Sequence, residues 1–105
     1  MEVAAINEAI TYGDSRPVLK VMLDTPAVKE IRISFREGQE MKEHKAGFPI
    51  VVCVMRGAID FGLGEELLHL KTGMMVALEA DVLHHLTARE DSIVRLSLIK
   101  IDKNK

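Results

Sequence analysis

From Val18 onward, apolar and polar residues alternate in short runs that end at turn-forming residues, the pattern of half-buried strands rather than helices. Val18–Leu23 ends at the turn Asp24-Thr25-Pro26. In Val28–Phe35, Ile31, Ile33 and Phe35 share one face, with Arg32 and Ser34 on the other. A turn at Glu37-Gly38 precedes the long apolar run Phe48–Arg56, which Gly57 divides from Ala58–Phe61. Gly62-Leu63-Gly64-Glu65 reads as a hairpin loop, Glu66–Leu70 as a strand, and Lys71-Thr72-Gly73 as a turn. Met74–Leu78, Leu83–Ala88 and Ile93–Ile101 follow, separated by Glu79-Ala80-Asp81 and Glu90-Asp91-Ser92. Turn signals at this spacing predict an all-β fold of antiparallel strands, a sandwich or barrel.

Ile50–Met55 is apolar at both parities, so both of its faces need cover. The barrel interior can supply only one, with Ile50, Val52 and Val54 on one face and Val51, Cys53 and Met55 on the other. A second subunit supplies the remaining cover, so a homodimer is expected. The stripe Val94, Leu96, Leu98 and one of Met74 and Met75 read as further apolar surface for it. Glu2–Tyr12 is open between two readings: Val3, Ile6 and Ile10 fit a helix packed on the chain's own open edge, or an arm laid on a partner's sheet. No linker or repeat appears, so residues 1–105 are read as a single domain with an N-terminal arm over residues 1–17.

Composition narrows the partners. The chain has 105 residues, 48% of them hydrophobic and 29% charged, as a folded domain requires. So short a chain buries only roughly two thirds of its unfolded surface, which also favours a partner subunit. A net charge of −2 lacks the basic footprint of a nucleic-acid binder. The longest uncharged stretch, Ala46–Met55, falls well short of the ~20 residues of a membrane-spanning helix. Acidic residues stand near the N-terminus where a signal peptide carries basic ones, so a cytoplasmic location is expected. The lone cysteine, Cys53, cannot form an intrachain disulfide and reads as packing.

Two glycine–histidine frames are more specific. Five residues separate Gly38 from His44 and twelve separate His44 from Gly57; ten separate Gly73 from His84. Over about Arg32–Leu98 this resembles the two-motif signature of the cupin superfamily. There the first motif runs glycine, five residues, His-x-His, three or four residues, glutamate, six residues, glycine. The second runs glycine, five residues, Pro-x-Gly, two residues, histidine, three residues, asparagine. The resemblance implies a small jelly-roll β-barrel that holds a metal by three histidines and a glutamate. Gly38, His44, Gly57, Gly73 and His84 occupy family positions. Ala46 stands where the second histidine belongs and Ile50 at the glutamate position, while Glu79, Asp81 and Ala88 replace the second motif's proline, glycine and asparagine.

Only two ligands of four are therefore present. The resemblance implies His44 and His84 as the metal-binding pair, an incomplete set that leaves either no metal or a weakly bound divalent transition metal. Glu40 shares the parity of His44 and is the nearest candidate carboxylate. His85 follows His84 directly and should face away from it, and His69 cannot be placed. The candidate ligand pocket comprises His44, His84, Ile50, Val52 and Met41, with Phe48 at its rim, mostly apolar and suited to a small organic molecule. Gly62-x-Gly64 is too short for a phosphate-cradling fingerprint. Lys42–Lys45 and the tail Lys100–Lys105 read as solvated surface. The expected function is a small-molecule binding or regulatory module with a degenerate or absent metal site. The alternative is a metal-dependent cupin enzyme, of isomerase or oxygenase class, with an unrecognised third ligand.

Overall fold

A computed structural model describes residues 1–101. Among them the chain forms β1 (Val18–Asp24), β2 (Val28–Phe35), β3 (Glu40–His44), β4 (Ile50–Arg56), β5 (Ala58–Leu63), β6 (Glu66–Lys71), β7 (Met75–Leu78), β8 (His84–Ala88) and β9 (Ser92–Ile99). The strands pair antiparallel in two sheets, ordered β1-β2-β9-β4-β7 and β3-β8-β5-β6. No ladder among the described residues joins one sheet to the other, so the jelly roll is a pair of facing sheets rather than the closed barrel expected from the sequence. No helix of the described residues is long and apolar enough to cross a membrane.

The alternation in β2 and β4 decides what lies between the sheets. Ile33 and Phe35 from β2, and Ile50, Val52 and Val54 from β4, meet Ile59 and Phe61 of β5 and Leu86 of β8 in one buried cluster. Each such side chain contributes about 1.5–3 kcal/mol when removed from water. β9 corrects the sequence reading. Val94, Leu96 and Leu98 were expected on the outside, yet they pack against this core. Their polar alternates face outward, where Glu30 Oε1 accepts hydrogen bonds from Arg95 Nε (2.7 Å) and the Ser97 hydroxyl (2.6 Å).

β3 has no counterpart in the sequence reading. Glu40-Met41-Lys42-Glu43-His44 carries too few apolar residues for a strand signal, and it is pairing with β8 that extends it. The expected loop at Gly62–Glu65 is also shorter. β5 runs through Gly62 to Leu63, and only Gly64 and Glu65 turn the chain into β6.

The N-terminal segment is neither a helix nor an arm extended from the chain. It lies on the outer face of its own larger sheet, gripped through its backbone. The buried Arg32 guanidinium donates to the carbonyls of Ile6 (3.0 Å), Glu8 (2.7 Å) and Ala9 (3.2 Å). The Ser34 hydroxyl donates to the Thr11 carbonyl, and Gln39 Nε2 to that of Gly13 (2.8 Å). Tyr12 lies under the Arg36 guanidinium, 4.2 Å from its ring centre. At the other end, Lys100 Nζ donates to Asp24 Oδ1 (2.5 Å) and the Thr25 carbonyl (2.8 Å), so it is a clasp rather than free surface. The rest of the expected solvated tail, residues 102–105, lies outside the described residues.

The glycine frame has a backbone cause: Gly38, Gly57 and Gly73 all adopt positive φ, at 86°, 90° and 89°. At Gly57 space is lacking as well, since a Cβ would lie 2.5 Å from the Asp91 carbonyl oxygen and 2.8 Å from Ser92 Cα. Gly57→Ala should therefore cost at least ~1–2 kcal/mol of unfolding free energy in urea titrations. Gly47→Ala, where a Cβ meets nothing within 4 Å, should stay within about 0.5 kcal/mol of wild type.

Candidate functional site

β3 and β8 pair so that His44 stands directly opposite His84. The two ring centres are 4.3 Å apart with the planes tilted by 58°. On its other side the His84 ring stacks on Phe61, with centres 5.5 Å apart and planes within 16°. A register shift between Met41 and His44 carries both inward, although an odd spacing should send them to opposite faces. Glu40 pairs with Thr87 on the outer face, so it is not the carboxylate partner that parity suggested for His44.

Met41, His44, Val52 and His84 line one small cavity between the sheets, closed by Ile33, Leu86, Val94 and Leu96. Its volume is about 10 Å³, room for one water-sized body. Ile50 faces inward as expected but is packed in the core, away from this lining. Phe48 is half exposed and does not rim it. His85 does face the opposite side of β8. Its ring covers Gly62, where a Cβ would come within 1.9 Å of Cε1.

The protonation of the pair can be read from its hydrogen bonds. His44 Nδ1 lies 2.7 Å from the Lys42 carbonyl, and His84 Nδ1 2.9 Å from that of Val82. A carbonyl can only accept, so each Nδ1 carries the proton and each neutral ring keeps its lone pair on Nε2. Neither Nε2 has a hydrogen-bond partner among the described residues, and neither is sealed from solvent. Burial is the main reason the His84 pKa falls below its ordinary 6.5. The Val82 carbonyl opposes that shift, while His44 and His85 add to it.

These residues do not fit a metal held by three histidines and a glutamate. Ala46 and Ile50 stand at the other two ligand positions. Among the described residues, no group of three or more His, Cys, Asp or Glu side chains comes together to hold an ion.

Sequence reading missed a second polar group, on the outer face of the smaller sheet. The buried carboxylate of Asp60 is 2.5 Å from His69 Nδ1 and bonded to Arg89 Nε. Burial raises the Asp60 pKa, but the hydrogen bonds from His69 and Arg89 outweigh it and hold the group below the usual 3.8. Cross-strand pairing of Asp60 with His69 makes the contact, and only the strand register, invisible in the sequence, could have shown it.

The two shifts set separate pH windows. Because His84 has a lowered native pKa, the unfolded chain takes up its proton first as the solution is acidified. Stability present above about pH 6.5 should be lost as pH falls through the native value, at no more than ~1.4 kcal/mol per pH unit for one proton. Urea titrations of wild type and His84→Gln should differ in this slope between about pH 7.5 and 5 and run parallel above it. The Asp60 contribution should be lost only below about pH 4, and His69→Ala should reduce it.

No family model and no curated protein matches the sequence. Solved structures do share the architecture. An RmlC-like cupin protein from Desulfovibrio desulfuricans superposes with a TM-score of 0.86 at 22% identity, over 94% of this chain and 96% of that one. KdgF from a Halomonas species gives 0.78 at 19% identity, over the whole of both chains. A cupin superfamily protein from Desulfitobacterium hafniense gives 0.79 at 13%, over 89% of this chain and 84% of that one. With facing jelly-roll sheets, left-handed glycines at the motif positions and an inward histidine pair, this chain has the fold of the small cupins.

Proposed function

We propose that the chain is a small-molecule binding or regulatory module with a degenerate metal site, working as a homodimer. The observation that carries this reading is a pair of histidines lining an otherwise apolar cavity, each with Nδ1 held by a backbone carbonyl and with no carboxylate in the lining. Neutral imidazoles of this tautomer accept hydrogen bonds. A matching ligand therefore presents a hydroxyl or N–H donor on a small apolar body. The cavity itself is too small for such a molecule, so the ligand seats at the mouth, where His44 and Met41 are only partly buried and the flexible Met41 chain can move aside. The enzymatic alternative needs a third metal ligand, and Glu40, the best candidate for it, faces the other way.

The dimer reading rests on the outer face of the larger sheet. Val51, Cys53 and Met55 are half-buried there and Met75 is exposed. Two grooves flank the Glu30–Arg95 pair. One, of about 250 Å³, runs along Met22, Leu23 and Met55; the other, of about 290 Å³, along Val51, Cys53 and Met75. A second copy of this face would cover them. The N-terminal arm is bound to its own sheet, and its Ala4 and Ile6 line the first of these grooves.

A thermal-shift screen of hydroxyl- and amide-bearing metabolites, run on chelator-treated protein, tests the ligand reading. The expected result is a compound that raises Tm in wild type but not in His44→Ala or His84→Gln. No shift with any compound, or a shift that survives both replacements, would refute it. Sedimentation equilibrium at micromolar concentration should give about twice the 11.7 kDa chain mass for wild type and the single-chain mass for Val51→Glu. A monomeric wild type sinks the dimer.

A further inference from the structure

We infer that the groove between the N-terminal segment and the outer face of the larger sheet binds a short apolar monocarboxylate. Every residue lining it belongs to one chain, so the inference depends neither on the dimer nor on the histidine pair. In the dimer, the partner would close over the groove.

The walls are apolar and shaped by breaks in pairing. Ala4 and Ile6 of the N-terminal segment and Met22, Leu23 and Met55 of the sheet enclose about 250 Å³. The β1–β2 pairing shifts register between Val21 and Leu23, and the β4–β9 pairing between Val54 and Arg56. The residue left unpaired is a methionine each time, Met22 in β1 and Met55 in β4, and both line the groove. A regular β1 would send Met22 and Leu23 to opposite faces, whereas the bulge gives both to one side. Two unbranched thioether side chains let these walls adjust to an apolar guest. The facing wall is already in place, because Arg32 holds the carbonyls of Ile6, Glu8 and Ala9.

The polar part of the groove, Glu30 and Arg95, selects an anion. Arg95 Nε donates to Glu30 Oε1 (2.7 Å), but its Nη1 and Nη2 donate to no group among the described residues. Glu30 offsets only one of two neighbouring guanidinium charges. Arg32 stands directly across from Arg95 in the β2–β9 pairing. It is buried, and its hydrogen bonds go to main-chain carbonyls rather than to an acid. The excess positive charge favours a singly charged anion, and a carboxylate matches the paired Nη groups of Arg95 in bidentate fashion.

The remaining lining fixes the rest of the ligand. Beyond Glu30 and Arg95 its side chains are aliphatic or thioether, so the body bound there is apolar. The groove is smaller than the ~300–1,000 Å³ of drug-sized sites, which limits that body to a short chain.

The test is isothermal titration calorimetry of the full chain with octanoate, and with octanol and octylamine, which keep the chain and change the head group. Expected is one octanoate per chain, with both other probes at least tenfold weaker. Met22→Glu, at a bulge in the edge strand β1, should weaken octanoate at least tenfold by repulsion. Arg95→Lys keeps a cation beside Glu30 but loses the planar fork, and should weaken it as much. Unchanged urea midpoints would show that both variants fold. No octanoate binding, octanol or octylamine bound as tightly, or unaltered affinity in either folded variant would each overturn the inference. So would loss of binding in His44→Ala, which would place the ligand between the sheets. Octanoate binding alongside a failed metabolite screen would support this site while refuting the histidine reading.

Discussion

A strand has two faces, and the assignment of residues to them governs the chemistry of this molecule. Along β8 it sends His84 into the space between the sheets and His85 out over Gly62, with no intermediate choice. Along β4 it stacks Ile50, Val52 and Val54 in the core and leaves Val51, Cys53 and Met55 for the opposite side. The exception is β3. One irregularity between Met41 and His44 reverses the count, so that a methionine joins the histidines inside while Glu40 stays with Thr87 outside. A regular β3 with His44 inward would have offered the cavity a carboxylate in place of a thioether. The character of the site is thus decided by a local break in pairing as much as by residue identities.

That break marks the limit of what the sequence discloses. β2 was legible because its own residues carry the periodicity, and β4 because its run is apolar throughout. The glycine frame was legible too, since Gly38, Gly57 and Gly73 all need a left-handed backbone. β3 was not, because its charged residues are extended by a neighbour rather than by their own pattern. For β9 the alternation was clear but its sense was not. Val94, Leu96 and Leu98 could have faced either way until Glu30, sixty-five positions from Arg95, was seen to hold the polar face outward. The histidine pair could be named from spacing, whereas the tautomers depend on Lys42 and Val82 carbonyls that only geometry reveals.

The two sheets solve one electrostatic problem in parallel. Each carries a buried acid on its outer surface, Glu30 on the larger and Asp60 on the smaller, and each acid is met by an arginine and a second donor. Asp60 shows the balance in its pKa, where two donors more than offset the cost of burial. Both acids sit in the middle of strands, where a lone charge would open the sheet to water. The space between the sheets, by contrast, is left to aliphatic and aromatic packing and to one pair of histidine rings.

The grip of Arg32 on the N-terminal segment separates position from identity. Its guanidinium reads only the main-chain oxygens of residues 6, 8 and 9, and every amino acid has one, proline included. Those residues are free to drift in sequence without releasing the segment, provided the backbone keeps its path. The instruction for where the first dozen residues lie is written some twenty residues downstream, in the outward side chains Arg32 and Ser34 of β2.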